Sequence, residues 1–185
     1  VVTVAEAARP DAAETLDADS LREKLVEARG DVEQNVGPLA ALTLWLNRVG
    51  LEGAVALEPA PPGKPEWSAA AIPAASREVL ADTYRRGDPL LLRIPLAVHP
   101  VGEAPVPTFF HVALRRDLVE RGAAPAFVRN GIQIPKALER RVRGQSLWAL
   151  VVVEDQPIAT LLGDAETPAH THWSKDTQNF RNKYR

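Results

Sequence analysis

Near the C-terminus the stretch "AETPAHTHWSKDTQNFRNKYR" brings together the residue types that do chemistry: His170, His172, Trp173 and Lys175. In an extended segment alternate side chains share a side, so His170 and His172 have the spacing of two metal ligands. A zinc centre needs three or four ligands, and Glu166 or Asp164 would be the additions. His99 and His111 lie far upstream, and nothing local brings them to this segment. The chain has no cysteine, which excludes thiolate sites, disulfides and cysteine nucleophiles. The histidines are therefore expected to serve as hydrogen-bonding turn residues, and no metal site is assigned.

A second concentration of function-bearing side chains lies in "PKALERRVRG". Lys136, Arg140, Arg141 and Arg143 crowd one loop ahead of Gly144-Gln145, and Lys175, Arg181, Lys183 and Arg185 add cations in the tail. Such a loop has the electrostatics to contact phosphate oxygens, of nucleic acid or of a nucleotide. Other motifs fail on their spacing. "PPGKPEW" lacks the upstream glycine and the following Ser or Thr of a phosphate loop. No Gly-x-Ser-x-Gly elbow occurs, Ser146 has no evident base, and Glu154-Asp155 reads as a solvated turn. No self-contained catalytic constellation emerges.

The chain that must position these residues has 185 of them, 45% apolar and 25% charged, enough for one domain with a helical appendage. A formal charge of −2 exerts no global pull on nucleic acid or an anionic membrane, so such a role would rest on a local patch. No apolar run of about 18 residues and no signal peptide is present, so no membrane partner is expected and the default location is the cytoplasm. The sequence opens on Val1, contains no methionine and ends on a charged run without an obvious terminal element. It is expected to be a piece of a longer protein.

Along the chain, residues 1–19 are rich in alanine and acids and read as a strap. "SLREKLVEARG" follows, with Ser20 and Glu23 at capping-box spacing and Gly30 as a stop. "GPLAALTLWLNRVG" predicts a helix with Pro38 at its first position and Leu39, Leu42, Leu46 and Val49 on one face. A short strand at 53–58 precedes a proline-rich loop, and the domain boundary is placed there, giving a helical strap 1–67 and a domain 68–185. A helix in "SREVLADTYRRG" has Ser76 as its cap, Arg85 and Arg86 in its last turn and Gly87 as its stop.

From residue 88 the pattern turns to strands. "PLLLRIPLAVHP" and "VPTFFHVAL" pair as a hairpin, with Pro95 pointing to an edge or a bulge. A short helix around "RDLVERG" leads to "AFVRNGIQIP", where Asn130-Gly131 signals a tight hairpin. "SLWALVVV" reads as a central strand, and Pro157 suits the first turn of a helix in "IATLLGDAE". The expected class is α+β, with a mainly antiparallel or mixed sheet packed with helices.

Taken together, "FVRNGIQIP", the basic loop, "LWALVVVEDQPIATLLGDAETPAHTHW" and a lysine soon after resemble the second domain of bacterial ATPases of the gyrase B, heat-shock-protein-90, histidine kinase and MutL (GHKL) superfamily. The resemblance spans roughly residues 88–180 and rests on Arg129-Asn130-Gly131 and on Asp164 to Trp173. It implies the ribosomal-protein-like transducer fold. It also implies a partner, an upstream ATP-binding module of the same chain, with ATP and magnesium as cofactors of the parent and none in these residues. Lys175 is the position expected to reach the γ-phosphate, with Arg129 as a further cofactor contact and Pro168, His170 and Trp173 shaping the turn. The superfamily's own nucleotide motifs (Glu-x-x-x-Asn, Asp-x-Gly-x-Gly, a glycine-rich lid) do not occur here, so this chain is expected to lack turnover alone. The alternative is a stand-alone module that uses the basic loop and tail to bind nucleic acid or a protein client; a homodimer fits either reading.

Overall fold

The computed structural model describes residues 2–6, 9–16, 31–59, 69–117, 125–134, 147–167 and 172–184. They fall into two compact units, Val1–Arg48 and Val49–Arg185, a division that comes ahead of the break expected after residue 67.

In the first unit, β1 (Val2–Glu6) and β2 (Arg9–Leu16) pair antiparallel, from Val2 opposite Leu16 to Glu6 opposite Arg9, with an irregularity between Val4 and Glu6. The strap expected here is thus a hairpin; the alanine-rich composition hid it. Helix α1 runs Asp31–Val49 and passes through Pro38, which was expected to start it. The proline's missing N–H costs one rung of the ladder, and the helix continues on either side. Leu42 and Leu46, one turn apart, are buried, whereas Val49 is exposed rather than on the apolar face. The expected helix beginning at Ser20 lies outside the described residues.

The second unit is α+β. Strands β3 (Val55–Ala56), β4 (Leu90–Val98), β5 (Val106–Arg116), β6 (Ala126–Arg129), β7 (Ile132–Gln133) and β8 (Leu147–Val153) form one mixed sheet in the order β3-β4-β5-β8-β6-β7. The β4–β5, β5–β8 and β6–β7 pairs are antiparallel, and β3–β4 and β6–β8 are parallel. The β-branched run of β8 is buried on both faces from Trp148 to Val153, as a central strand must be. Asn130 (φ 47°) and Gly131 (φ 79°) make the β6–β7 turn, with two consecutive positive φ values that suit the strand twist.

Pro95 sits in β4 without breaking the sheet. The N–H of Leu57 donates to the carbonyl of Arg93 (2.9 Å), so odd-numbered residues of β4 turn their backbone groups away from β5. The N–H that Pro95 lacks would have pointed off the edge.

Helix α2 (Ala74–Arg86) begins after Pro73 with no side-chain cap, so Ser76 lies inside it rather than capping it. Its end is as expected, with Gly87 in the left-handed conformation (φ 77°) donating to Thr83 and Tyr84 carbonyls. Helix α3 (Gln156–Ala165) lays Ile158, Ala159 and Leu162 over Val98, Phe110, Val112, Phe127, Val151 and Val153. This is the core against which the C-terminal segment is built. The short helix expected around residues 116–122 lies largely outside the described residues; β5 extends to Arg116.

The N-terminus of α3 borrows its cap from the sheet. Asp155 makes no side-chain cap. Instead the N–H of Ile158 donates to Thr108 Oγ1 (3.3 Å), whose hydroxyl donates to the Asp155 carboxylate (2.6 Å). One threonine therefore satisfies an orphan helix donor and fixes the turn leaving β8. Glu154 is exposed as expected, but Asp155 is a structural acceptor rather than a solvated charge.

Candidate functional site

The last turn of α3 organises everything downstream. Residues 165–167 and 172–174 form a short antiparallel ladder: Glu166 bridges Trp173, the N–H of Thr167 donates to His172 O (3.2 Å), and the N–H of Ser174 donates to Ala165 O (2.7 Å). Trp173 meets the ring of Phe127 edge to face, with centroids 5.5 Å apart. Across the same cluster the Arg129 guanidinium pairs with the Glu166 carboxylate, with side chains 14% and 3% exposed. Arg129 Nε and Trp173 Nε1 are buried there without a partner. Gly163 makes room for the pair: a Cβ on it would lie 3.2 Å from Arg129 Nη1.

Two tethers then bracket Lys175. On one side is the Ser174–Ala165 bond. On the other, Thr177 Oγ1 donates to the carbonyl of Asp164 (2.5 Å) and accepts from the N–H of Phe180 (3.4 Å), capping helix α4 (Gln178–Lys183). Consecutive residues of the α3 terminus therefore hold the positions immediately before and two after Lys175. Lys175 itself is exposed at the turn, and among the described residues it forms no ion pair.

Asp164 is the hub. Its carboxylate accepts from Lys183 Nζ (2.9 and 3.0 Å) and from the Tyr184 hydroxyl (3.1 Å). Burial, and then the hydrogen bond to Asp164, push the Tyr184 hydroxyl above its ordinary pKa. The carbonyl of Lys183 in turn accepts from the N–H of Val101 in the β4–β5 turn (2.8 Å). The C-terminal run is thus a capped helix, not a free basic tail, and Lys183 is neutralised rather than added to a patch. Asp176, Gln178, Arg181 and Asn182 line a surface depression.

The sequence-predicted residues therefore divide. Lys175 is presented to solvent; Arg129 is committed to Glu166 and is not a free cation. Lys136, Arg140, Arg141 and Arg143, like Pro168, His170 and Arg185, lie outside the described residues. Asp164 and Glu166, weighed as metal donors, are engaged by Lys183 with Tyr184 and by Arg129; among the described residues no three of His, Asp and Glu gather. His111 is buried in β5 far along the chain, with its ring edge-on to Phe109 (5.4 Å). Burial, and then the Arg93 charge, lower its pKa against the opposing pull of Glu154 and Asp155.

Sequence reasoning missed the Asp164 hub and the Thr177 tether. A threonine just ahead of "QNFRNK" is a helix-start signal and would have exposed the second. The first joins residues that only the fold brings together. No helix among the described residues is long and apolar enough to cross a membrane. Comparison with protein-family models, curated proteins and solved structures finds no match to this chain.

Proposed function

We propose that residues 49–185 form a relay module of the transducer type, without turnover of its own, in which Lys175 meets the terminal phosphate of ATP held by an upstream lobe of the parent chain. The observation that carries this reading is the double tether. An exposed lysine normally samples many rotamers on a mobile backbone, but here both flanks are bonded to Asp164 and Ala165. A cation carried on a backbone held in this way loses little main-chain freedom on meeting a phosphate, and its contact disappears when the phosphate leaves. Loss of that contact is the signal, and the stiff connection from the turn through α3 to the sheet is the path by which it moves the unit. Arg129, Glu166 and Trp173 act as positioning residues for the turn.

The test joins the chain to the residues encoded before Val1 and measures ATP hydrolysis. Lys175→Ala is expected to lower turnover about a hundredfold, the cost of removing one charge-stabilising donor. Unchanged turnover removes Lys175 from the mechanism, and an upstream sequence without an ATP-binding module removes the proposal.

A further inference from the structure

On the sheet face that carries the odd-numbered residues of β5, Arg93 lies with its guanidinium 3.6 Å from the centroid of the Phe109 ring. Arg93 is paired in register with His111, and Phe109 with Pro95. The guanidinium has therefore leaned one pair along the strand and come to rest beside Pro95. Stacking on a phenyl face holds it flat and leaves its N–H edges open. Arg93 is exposed, and among the described residues it meets no carboxylate.

Among the described residues the neighbouring edge of the sheet is open as well. β3 covers β4 only at Leu92 and Arg93, with Leu57 adding one bond. Among the described residues no strand pairs with the outer side of Pro95–Val98. By the alternation set at Arg93, the carbonyl of Pro95 and the N–H and carbonyl of Ala97 face outward. An extended segment laid along this edge, continuing the line of β3, would put the residue opposite Pro95 on the face where the guanidinium rests.

From these two observations we infer that the β4 edge receives an extended segment of a partner protein, with an acidic side chain opposite Pro95 bound by Arg93. Main-chain bonds to Pro95 and Ala97 supply the register, and the stacked guanidinium supplies selectivity for a carboxylate. Charge sets the occupant. A second copy of the chain entering edge to edge would bring a second Arg93 into the same sheet, and Pro95 offers it no donor. The inference is independent of Lys175 and of any nucleotide.

The probe is a synthetic pentapeptide of alternating valine and glutamate with blocked ends, titrated at millimolar concentration into the full chain while backbone amide shifts are followed. The Arg93 and Ala97 amides are expected to shift, and Arg93→Gln, checked for its fold by circular dichroism, is expected to weaken binding roughly five-fold. N-methylation of the peptide's amides is expected to abolish binding, and replacing its glutamates by lysines to do the same. Shifts elsewhere only, or binding indifferent to both Arg93→Gln and N-methylation, would overturn the inference. So would a single-stranded oligonucleotide that displaces the peptide, or a dimer of the chain that occludes the edge.

Discussion

Arg129 and Glu166 stand 37 residues apart in sequence and form one ion pair beneath the turn that carries Lys175. It joins the end of β6 to the end of α3 with both side chains largely out of water. Arg129→Met removes a cation from beside the buried Glu166 carboxylate, at a cost of about 3–5 kcal/mol. Arg129→Met combined with Glu166→Met is expected to recover most of that loss, because two buried charges leave together. Urea unfolding midpoints of the native chain and the two variants decide the matter. Equal losses in the single and double variants would mean that the pair contributes through something other than charge compensation.

Gly163 lies inside α3, where alanine ordinarily improves a helix by about 1 kcal/mol. Here the added methyl meets the guanidinium at 3.2 Å, and that guanidinium is held by Glu166. Gly163→Ala is expected to yield none of the usual gain in the native background. It should yield the full gain once Arg129→Met has cleared the space. A double-mutant cycle measures the coupling directly.

Thr108→Val keeps the shape of a buried side chain and deletes its hydroxyl. The Ile158 N–H loses its acceptor and the Asp155 carboxylate loses its donor. A loss of about 1–3 kcal/mol is expected from leaving a buried donor unsatisfied. Amide exchange should accelerate first in the opening turn of α3, ahead of the sheet. Uniform acceleration would place the effect elsewhere.

Acid should weaken the fold through His111. Its pKa is lowered in the folded state, so the unfolded chain takes up the proton first as pH drops. The contribution is complete above the unfolded value of about 6.5 and is lost as pH falls through the lower folded value. His111→Gln is expected to flatten stability against pH in that window, while Glu154→Gln, by removing a charge that favours the imidazolium, should steepen it. Unfolding midpoints measured from about pH 7 to about pH 5 carry the comparison.

The parts of the fold legible in the sequence were those written in local chemistry. Asn130-Gly131 requires positive φ, the β-branched run at Leu147–Val153 suits burial on two faces, and Gly87 ends a helix. Pro95 announced an edge because only there does its missing N–H go unused. The parts not legible depended on partners distant in the chain. Nothing near Thr108 says that it will cap a helix 50 residues later, and nothing near Asp164 names Lys183 and Tyr184. The β1–β2 hairpin escaped for a different reason. Its alanines carry weak strand preference, so pairing rather than propensity makes those strands.

The small ladder between residues 165–167 and 172–174 has a bearing on how this chain can change over generations. Because the bonds across it are made by backbone atoms, the two sides stay joined whichever side chain stands at Thr167. Descendants of this sequence can change that letter and still hand on the same approach to Lys175.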